Sequence, residues 1–374
     1  MSKQRWTVIL AVFVALTALV AVPAASAHNS SSAREDLADR GLRDLGALRG
    51  LYIGTAVAMD HLSADPTYRS LAQTEFSSVT AENVMKWEEV EPQRGVNDFT
   101  EGDRLLRFAK RNKQSVYGHN VLWHNQLPAW LTTGVSNGTI DKAELKSILR
   151  RHTLALVGHY RGKVRAWDVT NEIFNDDGNA TTPATWRNTI WYQAFGTEYV
   201  EWVLRWAHQA DPRTKLYIND YNNENFNGKA LAYYNLAKEL KRKHVPLDGI
   251  GVQAHLSLMY GHPAAGEIKA VLERYASLGL GIAFTEVDIR IPLSSAGAQP
   301  TEAQVTESTR RWRDVIDACI AVRRCNTFTV WGHTDKYSWV PGWFTNPPEG
   351  WATPFTDTYE AKPAYWELRE ALAG

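Results

Sequence analysis

Two glutamates far apart in the chain stand in nearly matching surroundings. Glu172 ends the run Trp-Asp-Val-Thr-Asn-Glu, and Glu286 follows Ala-Phe-Thr and precedes Val-Asp, each at the close of a short apolar stretch. A mostly apolar strand of roughly four to eight residues that ends in a carboxylate delivers it to the carboxyl edge of a sheet, where parallel α/β folds hold their chemistry. Cleaving an acetal between two sugars requires protonating a poor leaving group while stabilising an oxocarbenium-like centre. Two carboxyl groups in opposite protonation states meet both demands.

The elements that must position such a pair can be read from the pattern of apolar runs. Short β-like runs recur at Leu51 to Ala58, Ser77 to Thr80, Ser115 to Val121, Val164 to Val169, Leu216 to Ile218, Ile250 to Gln253, Gly281 to Phe284 and Thr327 to Val330. Between them lie helical patterns, such as Leu105, Leu106 and Ala109, then Val203, Leu204 and Ala207, then Leu231, Tyr234, Leu236 and Leu240. Alternating β and α predicts an α/β fold with a parallel sheet, and eight repeats predict a single (β/α)8 TIM barrel. An open doubly wound sheet is the alternative. It would bring a glycine-rich phosphate turn, and no such motif follows any candidate strand.

Polar and aromatic residues accumulate at one end of the expected strands. Strand two runs into Glu82-Asn83-Val84-Met85-Lys86-Trp87, strand three into His119 and on to Trp123 and Gln126, and strand four into Asn171-Glu172. Strand five ends Asn219-Asp220-Tyr221-Asn222, strand six Gln253-Ala254-His255, strand seven Glu286-Val287-Asp288 and strand eight Trp331. One polar strand end is ordinary, but seven at the same edge point to a ligand.

Composition narrows the ligand by exclusion. The 374 residues carry 41 basic and 41 acidic side chains, so no net charge draws the chain to nucleic acid or to an anionic membrane. The 15 Trp and 15 Tyr exceed the ordinary needs of a core, so some of these rings are expected to face a ligand. Lys3 and Arg5 precede the apolar stretch Val8 to Val22, and Ala25-Ser26-Ala27 follows as a small-residue cleavage site. This pattern predicts a secretory signal peptide over 1–27; the apolar stretch is short for a spanning helix, which takes roughly 20 residues. Residues 28–45 are expected to be an N-terminal tail and 46–374 one catalytic domain, secreted and extracellular, monomeric, with no membrane attachment after cleavage. An oxidising destination permits disulfides, and Cys319 and Cys325, the only cysteines, are expected to pair.

Five motifs carry a family resemblance. They are Glu-Asn-Val-Met-Lys-Trp at 82–87, Trp-His-Asn-Gln-Leu-Pro-Ala-Trp at 123–130, Trp-Asp-Val-Thr-Asn-Glu at 167–172, Thr-Glu-Val-Asp-Ile-Arg at 285–290 and Thr-Val-Trp-Gly at 329–332. Together they resemble the family 10 glycoside hydrolases, endo-β-1,4-xylanases, over about Leu51 to Trp366. The resemblance implies a (β/α)8 barrel, xylan and xylo-oligosaccharides as substrates, and retention of anomeric configuration. It makes Glu172 the acid/base and Glu286 the nucleophile, with His255 and Asp288 supporting the nucleophile. Glu82, Asn83 and Lys86 look like the grip on the next sugar on the non-reducing side; by spacing alone Glu82 and Lys86 would be a helix-face ion pair. Asn171 resembles the ligand of the sugar 2-hydroxyl, and His119, Gln126 and Gln253 resemble further polar ligands. Trp123, Trp331 and Trp339 match tryptophans that wall the cleft, with Tyr221 as a stacking surface on the aglycone side.

Two other functions remain open at this point: a β-1,4-glucanase on the same barrel, and a catalytically silent sugar-binding relative. No cofactor and no metal are expected, because the spacing of His119, His124 and His255 fits no metal-binding motif and acetal hydrolysis by two carboxyls needs no ion. His333, after Trp331-Gly332, departs from the family pattern and raises the expectation of an extra titrating ring near the nucleophile.

Overall fold

The computed structural model describes residues 40–374; the expected signal peptide at 1–27 and most of the stretch 28–45 lie outside the described residues. A helix at Leu42–Leu48 begins within that stretch, with Leu42 and Leu45 buried.

All eight expected barrel strands are present: β1 (Tyr52–Val57), β2 (Ser78–Ala81), β3 (Ser115–Gly118), β4 (Ala166–Asn171), β5 (Lys215–Asp220), β6 (Gly249–Val252), β8 (Gly281–Pro292) and β9 (Cys325–Val330). Each pairs in parallel with the next, and β9 pairs with β1, which closes the ring. The architecture is a (β/α)8 barrel with helices around it. Two short strands lie outside the ring. β7 (His255–Ser257) runs parallel to the far half of β8, and β10 (Glu349–Gly350) runs antiparallel to its last residues.

The strands are buried on both faces, as parallel strands under a helical layer must be. Inside the barrel, Tyr117, Ala166, Tyr217 and Ala283 form a layer in which the two tyrosine rings lie 5.8 Å apart. Large rings on some strands require space on their neighbours. A Cβ added at Gly118 would collide with Trp167, and one at Gly249 would collide with Tyr217.

Two elements differ from expectation in ways that bear on the site. β8 does not stop at Phe284 but continues to Pro292, because β7 and β10 supply partners for its second half. The helix Gly228–Arg242 buries Ala230, Ala232, Tyr233, Ala237 and Leu240, whereas Leu231, Tyr234 and Leu236 are only partly covered. Small residues let this helix approach the barrel, and Tyr233 reaches through to donate to Asp220 Oδ2 at 2.8 Å.

The expected disulfide joins Cys319, near the end of the helix Glu302–Ala321, to Cys325 at the start of β9.

Candidate active site

Both glutamates follow or occupy an irregularity in a strand. Along β4, Asp168 and Thr170 face consecutive residues of β5, so one extra residue is inserted just before Asn171 and Glu172. Along β8, Phe284 and Val287 face residues of β9 only two apart, and the extra residue falls in the segment that carries Thr285 and Glu286. A bulge of this kind bends a strand and re-aims its side chains. Glu172 also takes a left-handed backbone, with φ at 56°, a strained state that persists only where the surroundings impose it. Here Glu172 N donates to Asn219 O at 2.9 Å, and Arg187 Nε donates to Glu172 O at 2.9 Å.

One hydrogen-bond network joins the two carboxyls. Asn219 Nδ2 donates to Glu286 Oε1 at 2.8 Å and to Asn171 Oδ1 at 2.9 Å. Gln253 Nε2 donates to the same Asn171 oxygen at 3.1 Å and to Glu172 Oε1 at 3.3 Å. Thr285 Oγ1 donates to Asn219 Oδ1 at 2.8 Å and fixes the orientation of that amide. Asn171 thus commits its oxygen to the protein and keeps its NH2 as the available donor.

The surroundings push the two carboxyls in opposite directions. Burial alone would raise Glu286, but His119 with Nδ1 at 3.8 Å, His255 with Nε2 at 3.3 Å and the Asn219 amide outweigh it and hold Glu286 below the ordinary glutamate range. His255 can do this because it is itself charged. Burial disfavours its imidazolium, yet Asp288 Oδ2 at 2.9 Å from Nδ1 and the Glu286 carboxylate raise it to about 10. Asp288 in turn accepts from Trp339 Nε1 at 2.8 Å. Glu172 is raised, first by burial and then by the negative charge of Glu286, against the opposing effects of the Trp123 indole, Gln253 and Arg187.

These groups open on a cleft of about 1000 Å³. Its wall includes Glu82, Asn83, Lys86, His119, Trp123 and Gln126 from the loops after β2 and β3, Asn171 at the end of β4 with Glu172 just beyond it, Tyr221 after β5, Gln253 after β6, His255 at the start of β7, Glu286, Trp331 and Trp339. Every expected site residue therefore reaches the cleft except Asp288, which lies behind His255. The helix-face reading of Glu82 and Lys86 is corrected: β2 ends at Ala81 and the next helix starts at Trp87, so both residues sit in the intervening loop. Lys86 Nζ donates to Gln126 Oε1 at 2.6 Å and Asn83 Oδ1 at 3.1 Å and lies 5.0 Å from the Trp123 ring centroid. Gln126 Nε2 donates to Glu88 Oε1 at 2.9 Å, so this cluster is hydrogen-bonded within the protein itself.

Trp331 packs edge-on to His119 at 5.2 Å, and Trp339 edge-on to His255 at 5.0 Å. Tyr221 is pinned by Arg187, which donates to its oxygen at 3.0 Å, by Asp176, which accepts from it at 2.7 Å, and by Lys229 Nζ, 3.6 Å from its ring centroid. His333 does not join the site. It is fully buried between Thr55 Oγ1 and Tyr68 O with its ring tilted 33° against the Tyr68 ring at 4.2 Å, and burial lowers it to about 3, so the expected extra titrating ring is a neutral wall residue.

Sequence reasoning left Asn219, Asp168, Thr285 and Arg187 without roles. The polar run Asn219-Asp220-Tyr221-Asn222 signalled a strand end, but not which side chain spans the two carboxyls. Among the described residues His119, Asp168 and Glu286 place ligand-type atoms within 4.8 Å of one another. Each is already engaged: Asp168 accepts from Tyr117 OH at 2.8 Å and lies 2.9 Å from His119 Nδ1, and Glu286 accepts from Asn219. A cation there would displace these donors.

A parallel barrel that turns two buried, oppositely shifted carboxyls onto one long aromatic-walled cleft defines a hydrolase of glycosidic bonds. Residues 41–371 match the model of glycosyl hydrolase family 10. The chain is 42% identical over 315 residues to an endo-1,4-beta-xylanase of Agaricus bisporus, covering 84% of this chain and 89% of that protein. It is 43% identical over 317 residues to endo-1,4-beta-xylanase C of Phanerodontia chrysosporium, with 84% and 74% covered. Among solved structures, native xylanase 10B from Thermotoga maritima superposes with a TM-score of 0.81 at 39% identity, covering 89% of this chain and 98% of that one. The chain belongs to glycosyl hydrolase family 10.

Proposed function

We propose that this protein is a secreted endo-1,4-β-xylanase that hydrolyses internal β-1,4-xylosidic bonds with retention, Glu286 acting as nucleophile and Glu172 as acid/base. The observation that carries the reading is the network through Asn171, Asn219 and Gln253, which ties both carboxyls to one wall of one cleft while their surroundings shift them apart. In the first step Glu172 gives its proton to the leaving oxygen as Glu286 attacks the anomeric carbon, giving a covalent glycosyl-enzyme. Forming that bond removes the negative charge that had raised Glu172. The now ionised Glu172 takes a proton from water, which attacks the same carbon, and Glu286 leaves as the carboxylate. The Asn171 NH2 is the donor for the sugar 2-hydroxyl, an interaction that strengthens in the transition state.

Xylan is favoured over β-1,4-glucan on the reading that Glu82 and Lys86, which line the cleft, meet the sugar where glucose carries the 6-hydroxymethyl group that xylose lacks. The xylanase names of the Agaricus bisporus and Phanerodontia chrysosporium relatives, and the xylobiose complex of Thermotoga petrophila xylanase 10B, support the same substrate. Secretion rests on the signal-peptide pattern at 1–27, and no helix among the described residues is long and apolar enough to cross a membrane.

Two measurements on one enzyme preparation test this. Reducing ends should be released from xylan and not from carboxymethylcellulose, and the first-formed product should carry the β-anomeric configuration. An α-product, or equal attack on both polymers, would overturn the assignment.

A further inference from the structure

The two carboxyls differ in what holds their backbone. Glu286 lies inside β8, and the ladder resumes just beyond it, at Val287 with β9 and at Asp288 with β7. Glu172 stands one residue past the end of β4, in the left-handed state, with a loop after it.

That loop closes on itself. Phe174 and Trp186 form an antiparallel bridge with their rings 4.6 Å apart, and Asn175 N donates to Thr185 O at 2.9 Å. The closure returns Arg187 to the root of the loop, beside the segment the chain left 15 residues earlier. There Arg187 serves three consecutive carbonyls. Its backbone N donates to Ile173 O at 2.9 Å, its Nε to Glu172 O at 2.9 Å and its Nη2 to Phe174 O at 3.1 Å. Ile173 and Phe174 are buried, so carbonyls in this stretch need partners from the protein.

The guanidinium is itself fixed. Nη2 also donates to the Tyr221 oxygen at 3.0 Å, and Tyr221 donates onward to Asp176 Oδ2 at 2.7 Å. A planar fork with fixed donor directions orients the peptide units it binds. A left-handed non-glycine residue persists only under such constraint, and a return to ordinary φ would re-aim the Cα–Cβ bond of Glu172 and carry its carboxyl off the leaving oxygen. The Arg187 side chain gives its bonds to carbonyl and phenol oxygens rather than to the carboxyl. An ion pair with the carboxyl would instead hold the acid ionised.

We propose that Arg187 is a positioning residue for the acid/base, its guanidinium clamping the backbone at 172–174 so that the Glu172 carboxyl meets first the leaving oxygen and then the attacking water. The inference rests on the xylanase reading and deepens it. Loss of the clamp falls on the two proton transfers and spares the attack by Glu286.

The test compares kcat/KM on phenyl β-xylobioside, whose leaving group needs a proton, with kcat/KM on 2,4-dinitrophenyl β-xylobioside, whose leaving group does not. In Arg187→Ala the first should fall about 100-fold, the scale of a catalytic group misplaced by about 1 Å, while the second stays within about threefold. Turnover of the dinitrophenyl substrate should then be limited by hydrolysis of the glycosyl-enzyme. Azide, which needs no base, should speed it by attacking the anomeric carbon and releasing the Glu286 carboxylate, giving the β-xylobiosyl azide. Arg187→Lys, which keeps the charge but not the fork, should show the same uneven loss in milder form and keeps the test decisive should Arg187→Ala fail to fold. Losses equal on the two substrates, or within about twofold of the unsubstituted enzyme on both, overturn the clamp. Failure of the underlying reading is distinct: Glu172→Gln would then itself lose evenly on the two substrates.

Discussion

Asn219 sets its side-chain amide 2.8 Å from Glu286 Oε1 while its own oxygen accepts from Thr285, the residue next to that glutamate. The β5 side chain therefore reads the position of the β8 bulge and donates to the carboxylate the bulge presents. Since the same amide also bonds Asn171, it couples Glu286, the proposed nucleophile, to the residue beside Glu172, the proposed acid/base.

Replacing Asn219 by Ala removes a donor that favours the ionised form of Glu286. A hydrogen bond to a charged group contributes about 1.5–3 kcal/mol, so kcat/KM on xylan should fall about 10- to 100-fold. The acidic limb of the pH–rate profile should move to higher pH, because Glu286 then needs a less acidic medium to ionise. A fall in rate with that limb unmoved would reduce Asn219 to packing.

On the proposed roles, activity requires Glu286 ionised and Glu172 protonated. With Glu286 held below and Glu172 above the ordinary glutamate range, the profile should be a broad bell whose acidic limb reports the first and whose alkaline limb the second. Glu172→Gln should abolish the alkaline limb and lower turnover of xylan by about 10²- to 10⁴-fold. It should spare the first step on aryl glycosides whose leaving group needs no proton. Equal losses on both substrate types would instead indicate structural damage.

His255 links the site to stability. Its ring is raised from 6.5 to about 10 in the folded protein, so it binds a proton more tightly there than in the unfolded chain. The resulting stabilisation is fully present below about pH 6.5 and is lost as pH rises through about 10. The melting temperature of the unsubstituted protein should exceed that of His255→Gln by a constant margin at pH 5 to 6, and this margin should shrink steadily toward pH 10. A margin independent of pH would remove the imidazolium from the account.

The bond between Cys319 and Cys325 closes a loop with a sequence separation of 6. Loop-closure entropy for so short a ring gives about 2 kcal/mol. The double replacement Cys319→Ser, Cys325→Ser should lower unfolding free energy by that amount in urea titrations and leave xylan turnover intact, since neither residue borders the cleft. A loss of activity at full stability would reassign the bond to the site.

Much of this was legible in the chain, and particular residues explain the limits. Buried parallel strands need near-continuous apolar runs, so all eight were readable, and so were the polar groups at their carboxyl ends. The length of β8 was not, because its second half takes its partners from β7 and β10, more than 25 residues before it and more than 55 after it along the chain. The bulges were equally hidden, since an extra residue is defined only against the neighbouring strand. On the helix Gly228–Arg242 the leucines suggested the covered face, but close approach to the barrel selected alanines and let Tyr233 reach Asp220. Asn219 looked like one polar strand-end residue among several, and only tertiary contact reveals that it spans the pair.

The extra residues in β4 and β8 carry a last implication. Side chains along a strand alternate inward and outward, so each insertion reverses the parity of everything downstream. Deleting one residue from the irregular stretch of either strand would leave apolar composition nearly intact while turning Glu172 or Glu286 toward the helical shell. Such a shortened chain would keep the hydrophobic pattern of a barrel with its chemistry facing the wrong way, so tolerance to deletion should drop sharply at these two points, even though neither is a large core side chain.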